Sequence, residues 1–260
     1  MKTKLIIILV LIIASSLSAQ VKVREAPYMQ GETELQGKLV YDPLLKSIRS
    51  AVLVIPDMWG PDTSVYGNAM KLAQLGHIVL IADLYGKDVK ITSNEEAASQ
   101  AETLLEDKQL FIGRISAAME FLKSQRKVDQ GKIGVVGYGL GGNAALELAL
   151  QGTHIAALAM YYPWLEYDMD EPPDYSIIKA SILVVFGAGD SRLEDEGLEN
   201  MKTVFDQNHL DWQMLLYGGA VYGFTNKTLG FEVKEGMAFN YNADLRSFDA
   251  LRQFFTDLLK

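Results

Sequence analysis

Four glycines in six residues, Gly137-Tyr138-Gly139-Leu140-Gly141-Gly142, constrain this chain more than any other stretch. A short apolar run, Ile133 to Val136, precedes them and reads as a buried strand. Asn143 to Leu150 follows, with Ala144, Leu148 and Ala149 at helical spacing. The turn between strand and helix is too tight for ordinary side chains, which is why it is built of glycine. Two chemistries use such a turn. In one, a Ser or Cys nucleophile sits between glycines on a strained residue. In the other, the backbone cradles a dinucleotide pyrophosphate, and Gly137, Gly139 and Gly142 do fit that spacing.

The flanks weigh against the dinucleotide reading, which implies an oxidoreductase. Its glycine loop follows the first strand of a domain and wants an acid about 20 residues on to hold the ribose. Here several strand candidates come earlier, and the next strand ends in Tyr161-Tyr162, with Glu166 the first acid after it. No cofactor is expected.

The chain has 260 residues, 49% hydrophobic and 22% charged, enough for one large core. Its formal charge of -9 argues against nucleic acid, whose phosphates demand clustered Lys and Arg. Residues 1–19 read as a signal peptide: Lys2 and Lys4 lead, Leu5 to Ala14 is apolar, and small residues precede Gln20. The apolar run is too short to span a bilayer comfortably, and no other span is expected. Removing Lys2 and Lys4 with the signal takes the formal charge from -9 to -11. A secreted or periplasmic protein is expected, with 20–260 as a single domain. The chain has no cysteine, so it has neither disulfide nor thiol nucleophile, and no lipid-anchoring Cys follows the signal.

Along the mature chain, Thr33 to Tyr41 alternates weakly, as an edge strand would. Arg49–Ile55, His77–Ala82, Ile155–Tyr161, Ser181–Phe186 and Trp212–Tyr217 read as further strands. Helices are expected over Ser64–Leu75, from a capping box at Ser93 to Glu106, over Asp107–Gln125, over Leu198–Gln207 and over Asn242–Leu259. The last should turn Leu245, Phe248, Leu251, Phe255 and Leu258 inward. Pro163 to Ser176 is an acidic loop; Glu166, Asp168 and Asp170 alternate as calcium ligands do, but no glycine and no completing Glu follow. No metal is expected. Strands alternating with helices predict an α/β fold with a mainly parallel, doubly wound sheet.

Five stretches carry a family resemblance: AVLVIPDMWG (51–60), LAQLGHIVLIADLYG (72–86), VDQGKIGVVGYGLGG (128–142), ILVVFGAGD (182–190) and YGGAVYGF (217–224). In order and spacing they resemble the dienelactone hydrolase family, over nearly all of the mature chain. The resemblance implies an α/β-hydrolase fold with a nucleophile, an acid and a histidine. Only the acid stands here, at Asp190. Gly139 holds the nucleophile position and Tyr222 the histidine position. A phenol, with a pKa near 10, is a poor base at neutral pH, but Tyr222 can fill the imidazole's space and hydrogen-bond Asp190. His77, His154 and His209 fall at strand starts, on the wrong edge of the sheet to replace it.

The resemblance also assigns backbone N–H groups of Met58 and Leu140 to an oxyanion hole, which side-chain changes need not destroy. Lys87 matches the place of an arginine that binds substrate carboxylate; an ordinary surface lysine is the competing reading. Trp59, Tyr85 and Tyr138 are candidates for an aromatic pocket or for plain core. The expectation is a pseudoenzyme that binds a small ligand, with carboxylates the first class to test, or a protein partner. The alternative is a hydrolase of esters or lactones by another route, such as water activated by Asp190.

Overall fold

The computed structural model describes residues 21–164, 173–193 and 195–260. The signal segment and the Glu166, Asp168 and Asp170 series lie outside the described residues.

An eight-stranded sheet runs through the molecule. Its strands are β1 Lys22–Gln30, β2 Thr33–Tyr41, β3 Arg49–Ile55, β4 Ile78–Ile81, β5 Val128–Tyr138, β6 Ala157–Tyr161, β7 Ser181–Gly187 and β8 Trp212–Tyr217. Their order across the sheet is β1-β2-β4-β3-β5-β6-β7-β8. The pairs from β4 through β8 are parallel, whereas β2 joins β4 and β1 antiparallel. From Ala51 to Ile55 and throughout β4 and β6 every residue is buried, as continuous apolar runs require when both faces are covered.

Thr33–Tyr41 is a strand but not the edge. The edge is β1, joined to β2 through a turn with Gly31 at φ 58°. β1 was not expected from sequence because only Ala26 and Tyr28 of its nine residues are buried, too few for an alternation signal. Its Pro27 is tolerated at an edge, where a ladder donor is dispensable.

Helices α1 Thr63–Gln74, α2 Asn94–Glu106, α3 Lys108–Lys123, α4 Leu140–Leu150, α5 Asp195–Gln207 and α6 Tyr241–Leu258 fill the connections. Right-handed crossovers determine their sides. The β3-α1-β4 unit steps one way across the sheet and β5-α4-β6 the other, so α1 and α4 cover opposite faces. Asp62 caps α1, accepting from the N–H groups of Ser64 and Val65. Ser93 caps α2, while Glu96 reaches back to the N–H and hydroxyl of Thr92. On α6 the inward stripe includes Phe248, Leu251, Phe254 and Phe255. Leu245 is about half exposed and stands outside that stripe.

The parallel strands deliver Asp57, Gly139 and Asp190 to their carboxyl ends, and the loop after β8 brings Tyr222 to the same edge. No helix among the described residues is long and apolar enough to cross a membrane, and no His, Asp and Glu cluster there is fit to hold a metal.

Candidate functional site

Gly139 links β5 to α4 at φ 50°, ψ -119°, a strained region that glycine enters freely and any other residue enters at a cost. The neighbouring glycines allow close approach. A Cβ on Gly137 would lie 1.9 Å from the carbonyl oxygen of Gly141, and one on Gly141 would lie 2.3 Å from that of Ile55. The turn therefore has nucleophile-elbow geometry without a nucleophile, and the strand before it is the fifth rather than the first.

The space above Gly139 is taken. A Cβ built there would stand 2.1 Å from the Tyr222 hydroxyl and 2.2 Å from Asp57 Oδ1. The Asp57 side chain, just past β3, turns inward over the elbow. Its Oδ1 accepts from Met58 N–H at 2.7 Å and from Leu140 N–H at 3.0 Å. These are the two donors expected to form an oxyanion hole, and the chain's own carboxylate sits on both. Tyr222 donates to Asp57 Oδ2 at 2.5 Å and accepts from the Trp164 indole N–H at 3.2 Å. Asn143, on α4, clasps the Trp164 backbone at 2.8 Å on both sides and so holds that indole.

Asp190 accepts nothing from Tyr222, contrary to the pairing considered from sequence. Its carboxylate is clamped by Arg192, which donates through Nε and Nη2 at 3.2 and 3.1 Å. The Arg192 guanidinium carbon lies over the Tyr222 ring, 3.1 Å from its centroid. Acid and phenol thus share one cation instead of a hydrogen bond. Nothing in the sequence pattern marks Arg192 or Asp57, although Asp57 stands inside a stretch that carries the resemblance.

Burial pushes the Asp57 carboxyl up to about 6, against the opposing pull of Tyr222, the two N–H groups and Arg192. Burial, reinforced by the Asp57 charge, holds Tyr222 well above the ordinary phenol range, so it stays a neutral donor. Beside Asp57 lies a cavity of about 20 Å³, room for about one water, bordered by Ser64, Asn68, Tyr138, Tyr162 and Thr225.

The remaining candidates divide. Trp59 borders that cavity, faces Tyr222 at 6.5 Å between rings, and also lines an open groove of about 410 Å³ with Asn94, Asn226 and Lys234. Tyr85 pins Met58 by donating to its carbonyl at 2.8 Å. Tyr138 is core, its hydroxyl accepting from Asn68 at 3.1 Å. Lys87 pairs with Glu34 on β2, which matches the surface reading. His77 starts β4 beside Ser50, with burial holding its pKa down to about 4, and His154 and His209 also precede strands. None of the three comes among the residues gathered around Gly139.

Residues 40–259 match the model of the dienelactone hydrolase family. The chain is 25% identical to a probable 2-oxo-3-(5-oxofuran-2-ylidene)propanoate lactonase of Bradyrhizobium sp over 202 residues, 74% of this chain and 81% of that protein. It is 26% identical to a carboxymethylenebutenolidase of Pseudomonas putida over 144 residues, 53% of this chain and 60% of that one. Among solved structures, m3DLH superposes with a TM-score of 0.86 at 29% identity, over 92% of this chain and 99% of that one. A dienelactone hydrolase-like promiscuous phosphotriesterase from metagenomic libraries superposes at 0.85, with the same identity and coverage.

Proposed function

From the premise that this chain belongs to the dienelactone hydrolase family, we propose that it is an exported, non-hydrolysing member that binds a small molecule in the groove beside Trp59. One observation carries the reading: the volume a nucleophile would need is filled by Asp57 and Tyr222. Acyl transfer needs a nucleophile beside a base and an empty pair of oxyanion donors. Here the nucleophile position is glycine, the base position is a neutral phenol, and both donors are engaged by a carboxylate.

Water activated by Asp190 has little support, because Arg192 holds that carboxylate in a charge-assisted fork. Binding has a place to occur. The groove beside Trp59 offers an aromatic face with amide, hydroxyl, ammonium and carboxylate groups around it, a lining suited to a small polar ligand. Lactones and esters, the compounds the named relatives act on, are the first to try, bound here and not cleaved.

Purified mature protein is expected to show no saturable turnover of p-nitrophenyl acetate or of enol lactones above a heat-killed control. Turnover that Asp190→Asn abolishes would overturn the reading.

A further inference from the structure

The groups converging on Asp57 form a complete receptor for an oxyanion. Met58 N–H comes from the turn after β3, Leu140 N–H from the first residue of α4 and the Tyr222 hydroxyl from the loop after β8. Three donors from three elements meet two oxygens, so the receptor is more than a helix end. Its occupant is tethered one residue from one of the donors. We propose that Asp57 is a built-in ligand of this receptor, and that a small external carboxylate takes the same seat when the Asp57 side chain vacates it.

Three features support the exchange. The donors are spaced for a carboxylate, since they already hold one at 2.5–3.0 Å. The seat lies where a side chain at position 139 would project, the place from which this fold addresses an outside molecule. The small cavity touching Asp57, edged by Ser64, Asn68 and Thr225, has room for about one water and leaves space beside the carboxylate. The tether makes the internal ligand a strong competitor, because its effective concentration far exceeds that of any free acid. The proposal rests on the non-hydrolytic reading, since a hole that served turnover would stand empty at rest. It goes beyond that reading by adding, to the groove beside Trp59, a carboxylate subsite at the elbow.

Chemical rescue tests it. Asp57→Ala and Asp57→Ser each leave the three donors without their acceptor. Melting temperatures of both, of Asp57→Asn and of wild type are compared in sodium formate, sodium acetate and sodium chloride at equal ionic strength. Formate or acetate should raise the melting temperature of the Ala or Ser variant by about 2–4 °C over chloride. Wild type and Asp57→Asn, whose seats are filled, should show no such difference. Should a variant be unfolded in chloride, recovery of its melting transition in formate supports the proposal and failure to recover overturns it. Equal shifts in all four proteins, or none in Ala and Ser, also overturn it. Ester turnover by the wild type would sink the non-hydrolytic reading while leaving the rescue result to stand separately.

Discussion

A side chain at position 139 meets two obstacles of different kinds. The positive φ at Gly139 costs a non-glycine residue about 1–3 kcal/mol, and the crowding by Asp57 and Tyr222 adds a repacking cost of about the same size. Gly139→Ala is therefore expected to lose about 2–5 kcal/mol in urea unfolding. Part of that loss should return in an Asp57→Ala background, because the two positions share one volume. A purely additive pair would sink this account. Asp57 itself gives a pH signature. Its carboxyl is raised to about 6, so between about pH 4 and 6 the native state binds more protons than the unfolded chain. Stability then falls as pH rises through that window. Relative to Asp57→Asn, wild type should lose about 2–3 kcal/mol between pH 3.5 and 7.5; a flat difference would refute the shift. Of this centre, Gly139, Asp190 and Tyr222 were legible because they replace or retain members of a motif. Asp57 was not. An acid at a strand end reads as an ordinary turn residue, and only its side-chain torsions carry the carboxylate inward over the glycine.

At the scale of elements, long apolar runs and helical stripes were readable and short or mixed ones were not. The β-branched runs of β3, β4 and β7 are buried on both faces, so composition alone marked them. β1 presents a mostly exposed face and owes its existence to the ladder with β2, a tertiary fact absent from its own nine residues. Helix α3 holds an exception to its own pattern. Arg114 is buried on the core side with Phe111, Ile115 and Ala118, and its Nε and Nη1 have no hydrogen-bond partner among the described residues. A buried donor without an acceptor costs about 1–3 kcal/mol. Arg114→Met, which keeps the length and drops the polar head, should be neutral or stabilising by up to about 2 kcal/mol in urea titration. A loss larger than that would mean the guanidinium is satisfied by ordered water and contributes to the β1–α3 packing.

For the whole molecule, alternation of strand and helix was sufficient to give a parallel α/β sheet, and family motifs placed its carboxyl edge. The mature protein should begin at or near Gln20, which intact-mass measurement on material from the periplasm or medium would show; soluble protein retaining Met1 would refute export. The filled elbow also bears on how such a chain can change through descent. A lone serine at position 139 finds its space held, and a lone histidine at position 222 gives up the phenol that Asp57 and Trp164 both engage. Each first step back is penalised in stability before any catalysis could reward it. The closure of this centre works as a ratchet against single substitutions: only a coordinated change at positions 57, 139 and 222 would reopen it.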